Sequence, residues 1–275
     1  MIMPTIFTIP KPFIDPHVKI IQRNAIKSWL QLGPAYEIFL IGNDMGVAET
    51  TEELKIKCFM EVKKNEFGTP LLSSAFGLAR AASRADLLIY ANADIIFLSD
   101  LPAALEKLPK NDFLAAGRRW DLDIKELIDF DDPNWEEKLK EKNKNNGRLH
   151  SPAGIDFYIF PKELFADLPD FAVGRVGWDN WVIHEAKRKK IPLIDITEIA
   201  TIIHQNHNYP AFNKGLSRKT NPEAKKNFSF SKPVSYIHNL EDADYKLTKN
   251  GLKKNWFNWY SFLKRYIKYR LNSQH

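Results

Sequence analysis

Asp94 stands inside one of the chain's longest apolar runs. Residues 86–97 read DLLIYANADIIF, with Leu87, Leu88, Ile89 and Tyr90 before the triplet Asn92-Ala93-Asp94 and Ile95, Ile96 and Phe97 after it. A carboxylate in such a run is costly to bury unless something pairs with it. One partner of the right chemistry is a divalent cation carrying a diphosphate. Hard cations such as Mg²⁺ and Mn²⁺ take carboxylate, phosphate and water oxygens. A turn cap, or an ion pair with an arginine, would explain the same residue without a ligand.

Other residues could work with it. Asp179 lies in Gly177-Trp178-Asp179-Asn180-Trp181, between two tryptophans. Apolar neighbours raise a carboxyl's pKa by desolvation and make it a better base near neutral pH. An aspartate there could equally cap the helix that follows. His204 ends the run Ile199–Ile203, and His207 follows three residues on. Neutral imidazole suits Mn²⁺ better than Mg²⁺. Arg118 and Arg119 close a further apolar run, and Arg80 sits on the segment before the triplet. Guanidinium forks match phosphate oxygens and could offset diphosphate charge; the alternative for each is a solvated surface cation.

The elements that must position these residues follow from periodicity and punctuation. Residues 4–9 read as a short strand and 17–32 as an amphipathic helix. Residues 36–41 read as a buried strand ended by Gly42-Asn43-Asp44, and 58–62 as another short strand. Thr69-Pro70 predicts a helix start, with the helix running to about Ser83. Residues 86–97 predict one continuous strand, 101–108 a short helix and 113–116 a strand. This alternation predicts a mostly parallel sheet covered by helices, with ligands at the carboxyl ends of its strands. Residues 121–149 predict an exposed helix and a mobile lysine- and asparagine-rich loop. Beyond them, 154–161 reads as a strand, 177–190 as a helix, 192–196 as a strand, 202–209 as a further segment, and 213–232 as a loop.

A strand carrying Asn92-Ala93-Asp94 after two βα units resembles the Asp-X-Asp motif of GT-A glycosyltransferases, of the family 2 type. Three later segments resemble that family's pattern in the same order: Ser151-Pro152-Ala153-Gly154-Ile155-Asp156, the Gly177–Trp181 segment, and Ile203-His204-Gln205-Asn206-His207. The resemblance covers residues 4–210. It implies a GT-A-like mixed α/β sheet of Rossmann type flanked by helices, and transfer of a sugar from a nucleotide-diphosphate donor, by default a UDP-sugar. It further implies a divalent metal, Mn²⁺ or Mg²⁺, held by Asp94 and His204, with Asn92 facing the ribose or a metal-bound water. His204 is preferred to His207 because it directly follows the strand. Asn92 departs from the family's aspartate and removes one negative charge. Asp179 would be the base of an inverting reaction. Thr8, Lys11 and Asp44, at the ends of the first two strands, would lie beside the donor with Arg80, Arg118 and Gly154. The acceptor would be a glycan or lipid-linked. A non-catalytic nucleotide-sugar or glycan binder on the same fold is the rival from another class. A nucleotidyltransferase is disfavoured because Pro10-Lys11-Pro12-Phe13 replaces a glycine-rich phosphate loop.

The whole chain fits this picture. It has 275 residues, 44% hydrophobic and 27% charged, an ordinary globular balance. The single cysteine, Cys58, fits a reducing compartment. No stretch of about 20 apolar residues is present, so a cytoplasmic location is expected. The net charge is +6, yet residues 249–275 hold seven basic and no acidic residues, leaving the other 248 at −1. No nucleic-acid groove across the body is therefore expected. The expected division is a catalytic domain over 1–212, a polar and basic linker over 213–248, and a basic aromatic helix over 249–275. On that tail Leu252, Trp256, Trp259, Tyr260, Leu263, Ile267 and Leu271 recur at helical steps. The stripe over 252–271 could rest peripherally on the inner face of an anionic membrane, or pack on the domain with its lysines in water.

Overall fold

The computed structural model describes residues 4–207, 221–230, 235 and 237–272. Residues 208–212 of the expected catalytic domain, and 213–220 and 231–232 of the expected loop, lie outside the described residues. Strands and helices alternate as the periodicity predicts. The first half runs β1 Thr5–Thr8, α1 Pro16–Gln31, β2 Glu37–Ile41, α2 Val47–Leu54, β3 Lys57–Phe59, α3 Leu72–Ala82, β4 Leu87–Ala91, β5 Ile95–Phe97, α4 Asp100–Glu106 and β6 Leu114–Ala116. There follow β7 Trp120–Leu122, α5 Trp135–Asn146, β8 Arg148–Leu149, β9 Phe157–Pro161, α6 Trp178–Arg188, β10 Leu193–Asp195 and β11 Ile202–Gln205. The C-terminal part holds α7 Pro222–Ser229, β12 Tyr245–Thr248, β13 Gly251–Lys254 and α8 Asn258–Asn272.

Nine strands form one sheet in the order β13-β12-β10-β6-β9-β4-β1-β2-β3. Seven of them run parallel; β9 and β13 run against them. Both faces are covered, because successive side chains of a strand point to opposite sides. Phe7, Phe39, Leu88, Tyr90 and Phe160 pack with α3 and α6 on one face, and Ile6, Ile38, Leu40, Ile89 and Ile159 pack with α1 and α4 on the other. Helix α1 starts where Asp15 accepts the Val18 N–H at 2.9 Å and Pro16 takes the first helical position. It buries Trp29 completely, and the indole N–H donates to the carbonyl of Ile95 at 2.9 Å.

A second sheet of four strands, in the order β5-β11-β7-β8, sits against the carboxyl end of the first. The run expected as one strand over 86–97 is therefore two. β4 belongs to the large sheet and β5 to the small one, and the polar triplet is the turn between them, closed by Ile95 N–H on the carbonyl of Asn92 at 3.1 Å. The chain makes the same transfer twice more, through 117–119 between β6 and β7 and through 196–201 between β10 and β11.

Four other expectations change. Helix α3 starts at Leu72 rather than Pro70, because Pro70 and Leu71 form bridges to Lys64 and Ala172. The lysine- and asparagine-rich stretch expected as a mobile loop is the second half of α5. Asn221 caps α7 by accepting the N–H groups of Glu223 and Ala224, so part of the expected 213–232 loop is helical. The segment 213–248 contributes β12 to the large sheet beside β10, and Leu252 lies on β13, so the terminal helix begins only at Asn258.

Candidate active site

Asp94 sits where the two sheets meet. Its carbonyl accepts the backbone N–H of Gln205 at 3.2 Å, and strand pairing sets His204 opposite Ile95 on one side and opposite Asp121 on the other. Gln205 is buried and locks β11 onto α1, donating to the carbonyl of Ile21 at 2.7 Å and accepting from Asn24 at 3.0 Å. The register thus delivers His204 between two carboxylates: its Nε2 is 3.8 Å from Asp94 Oδ2 and its Nδ1 3.3 Å from Asp121 Oδ1. His207 comes closer still, with Nε2 at 3.0 Å from Asp94 Oδ2. Both expected ligands are brought together, and His207 joins them.

Burial by itself would raise the carboxyl pKa of Asp94. The hydrogen bond from His207 and the charges of His204 and Lys11 outweigh it and hold the group at about 2. Burial lowers the pKa of the His204 imidazole more than the Asp94 carboxylate raises it, which favours the neutral ring. The other carboxylate oxygen, Asp94 Oδ1, is buried without a hydrogen-bond partner. Within 4.8 Å of one another, then, lie one ionised carboxylate and two imidazoles. This donor set fits a divalent cation of the Mn²⁺ type, and a cation would satisfy the orphaned oxygen.

Around this cluster lies a network the sequence did not reveal. Asp121 accepts from Arg119 Nε at 3.0 Å and lies 2.6 Å from His150 Nδ1. Burial raises its pKa, but these partners overcome it and keep the group low. A carboxylate behind a ligand histidine orients the ring. Asp156 receives Asn92 Nδ2 at 2.8 Å on one oxygen and Arg119 on the other. The Asn92 carbonyl oxygen accepts from the Tyr90 hydroxyl at 3.1 Å. The amide of Asn92 therefore uses both its ends within the protein, rather than facing outward to a ribose or a water. An aspartate there would set two carboxylates at hydrogen-bond distance.

Asp179 is carried by α6, which packs on the Tyr90 face of the large sheet. It lies in the first turn of α6, half-buried, while Gly177, at φ +109°, takes the cap position. The aspartate is thus not the N-cap. Tyr158 donates its hydroxyl to the Asp179 carbonyl at 2.9 Å, and Trp178 packs edge-on against Tyr90 and Tyr158. Burial, and then the negative charges of Asp179 and Asp156, push up the pKa of both tyrosines; Asp94 adds to the effect on Tyr90. The charges of three carboxylates are thus felt at Tyr90 and those of two at Tyr158.

The remaining candidates are scattered. Lys11 is held by Gln22 through a backbone pair at 2.7 and 2.9 Å, close enough for its charge to favour ionised Asp94. Thr8 is fully buried, its hydroxyl without a hydrogen-bond partner. Asp44 lies beyond β2 and pairs with Lys64 at 3.1 Å. Gly154 leaves room for a ring: a Cβ there would fall 2.2 Å from His150 Cδ2. Arg118 donates Nε to the carbonyl of His150 at 2.7 Å, and Arg119 is committed to Asp121 and Asp156. Arg80 is misplaced by the sequence reading. It ends α3 at the opposite edge of the sheet, where Ser83 meets Thr5 at the start of β1 and Glu163, past the end of β9, is its 3.9 Å partner. A helix that returns antiparallel to its strands carries its last turn away from their carboxyl ends.

No family model matches the chain, and no curated protein matches it. Among solved structures, it is similar to a mycobacterial protein at 13% identity and a TM-score of 0.49, over 86% of this chain and 74% of that one. It is similar to glucosyl-3-phosphoglycerate synthase from Mycobacterium tuberculosis, captured with Mn²⁺, UDP and glucosyl-3-phosphoglycerate, at 13% identity and 0.48, over 86% and 79%. A protein provisionally named a nucleotide-diphospho-sugar transferase, from Desulfovibrio desulfuricans G20, matches at 14% identity and 0.44, over 83% and 96%.

Proposed function

We propose that the protein is a glycosyltransferase that moves a sugar from a nucleotide-diphosphate donor, by default a UDP-sugar, to a glycan or lipid-linked acceptor. The observation that carries this is the cluster of Asp94, His204 and His207 at the carboxyl edge of a parallel sheet, with one buried Asp94 oxygen unpartnered. Ligands of open α/β sheets gather at that edge. Asp94, His204 and His207 would hold Mn²⁺ or Mg²⁺. When bound, the cation supplies positive charge against the diphosphate as the glycosidic bond breaks.

The chain's own groups divide the remaining work. Lys11 adds a second positive charge beside Asp94. Asp121 fixes the ring of His204, and Asn92 with Asp156 braces the turn that presents Asp94. Asp179, whose neighbour Trp178 packs against Tyr90, is the candidate base for an inverting transfer, taking the acceptor hydroxyl's proton as its oxygen attacks the anomeric carbon. No described helix is long and apolar enough to cross a membrane, so a lipid-linked acceptor would be met at a membrane surface.

Calorimetric titration with UDP, GDP, CDP and ADP, with and without Mn²⁺, tests the reading. One nucleoside diphosphate should bind in a metal-dependent way, and Asp94→Ala should abolish that dependence and donor turnover. Binding of none of the four by folded protein, or undiminished turnover in the variant, would overturn it.

A further inference from the structure

The end of the chain carries the largest concentration of exposed apolar side chains. Fourteen large apolar residues are exposed among the described residues, and eight of them lie between Leu252 and Leu271. This is not a helix awaiting its place on the domain, because α8 is already docked by a different face. Phe262 stacks on His238 with ring centroids 4.7 Å apart, and Arg265 donates Nε to the carbonyl of Ile237 at 2.8 Å and pairs with Asp242 and Glu241. Turned away is the stripe Tyr260, Leu263, Ile267 and Leu271, between 40% and 61% exposed. Trp256 and Phe257, just before the helix, are 67% and 74% exposed.

Cations border this surface. Lys264 Nζ lies 4.3 Å from the ring centre of Tyr260, and Lys254 Nζ 4.2 Å from that of Trp256. Beside them an open cleft of about 570 Å³ is lined by Lys190, Lys254, Trp256 and Trp259, with Lys187 paired to Asp244 within it. We infer that the exposed stripe of α8, with Trp256 and Phe257, is a docking surface for an anionic lipid bilayer, on which the helix lies flat. Tryptophan and tyrosine favour the headgroup level, and an apolar face edged with lysine suits the plane of the interface. A second copy is the poorer occupant. A two-fold contact sets the same patch against itself, which would bring together two copies of Lys254, Lys264 and Lys268. Anionic headgroups answer the charge, and acyl chains the apolar stripe.

The position of this surface bears on the reaction, a step that rests on the proposed transferase activity. Phe262 of α8 touches His238, whose carbonyl accepts from Asn180, the residue after Asp179, at 2.5 Å. Helix α8 is about 10–12 Å across with its side chains, so docking it flat sets the start of α6 behind it, roughly one helix diameter from the membrane. The acceptor class this favours is a hydroxyl compound carried on lipid.

Flotation of the full chain with vesicles tests the docking without any assay of transfer. Vesicles of phosphatidylcholine alone are compared with an equal mixture of phosphatidylcholine and phosphatidylglycerol, at low and high salt. Binding to the mixed vesicles only, weakened by salt, with a blue shift of tryptophan emission, is expected. Lys264→Ala with Lys268→Ala should lower partition by about fivefold per charge. Phe257→Ala with Ile267→Ala, both exposed and so tolerant of change, should lose the blue shift while keeping the parent's thermal melt. Equal binding to both vesicle types, no binding, or binding unchanged in both variants would overturn the inference. So would concentration-dependent dimers by light scattering that the Phe257/Ile267 variant abolishes. Failure of vesicle binding with metal-dependent nucleotide binding intact would remove the membrane surface alone and leave the transferase reading standing.

Discussion

Asn92 shows how one amide can replace an expected carboxylate and keep the turn intact. Its Nδ2 donates to Asp156 and its Oδ1 accepts from Tyr90, an arrangement open to an amide and closed to an ionised acid. Asn92→Asp would replace a donor with a second carboxylate facing Asp156. We expect a loss of about 1–3 kcal/mol of stability at neutral pH. The introduced pair binds protons more tightly folded than unfolded, so its folded pKa is raised. The variant's deficit should then be small below the ordinary carboxylate range, near pH 4, and grow as pH rises through the raised value. Thermal melts of parent and variant across pH check this; a deficit that does not depend on pH would mean that repulsion is not its cause. At this scale Asp94 was legible as a carboxylate too costly to bury alone. Its surroundings were not, since Asp156 is 64 residues from Asn92 and His204 meets Asp121 only through strand register. Proximity to the strand pointed to His204, and the structure adds His207, which follows β11 and makes the shorter contact with Asp94.

The elements were read well where one face repeats and poorly where a run changes partner. α1, α6 and the strands around β4 followed from apolar spacing and from the residues that punctuate it. The split of residues 86–97 into β4 and β5 did not, because apolar residues fit either sheet and only Asn92 and Asp94 marked the crossing. The same limit hid the start of α3, where Pro70 bridges to Lys64 and Leu71 to the distant Ala172. The loop before β9 makes a further prediction. Gly154 lies beside the ring of His150, which partners Asp121 behind His204. Gly154→Ala should force the ring aside and cost about 1–3 kcal/mol, the usual range for overpacking. His150→Ala together with Gly154→Ala should recover most of the packing loss, since the clash needs both groups. Urea unfolding of the single and double variants measures the coupling; additive losses would show that the backbone of the loop, not the ring, sets the constraint.

At the scale of the whole molecule, three outward crossings from the large sheet to the small one and the return from β8 to β9 assemble the candidate site, and the C-terminal hairpin extends the sheet's far edge. Composition separated that tail from the body by charge but could not show which face of α8 docks. Stripe periodicity selects the apolar residues, whereas the docked face is chosen by Arg265 and Phe262 meeting Asp242 and His238. Asp242 is 2% exposed and also lies 2.9 Å from His238 Nδ1. Breaking a buried pair by removing one partner costs about 3–5 kcal/mol, and Arg265, at 20% exposure, belongs at the low end. That cost falls first on the helix that Arg265 holds, because β13 remains paired with β12 through its own ladder. Arg265→Ala should therefore release α8 while the two sheets stay folded. Limited proteolysis should cut the variant between Lys254 and Lys264 well before the parent, with metal-dependent nucleotide binding unchanged. Lys at 265 retains a charge but not the fork that reaches Asp242, Glu241 and the Ile237 carbonyl together, so Arg265→Lys should restore only part of the protection. Cleavage no faster than in the parent would mean that the aromatic contacts of Phe262 hold the helix without the ion pairs, and the docked face would then be a packing surface, with Arg265 incidental to it.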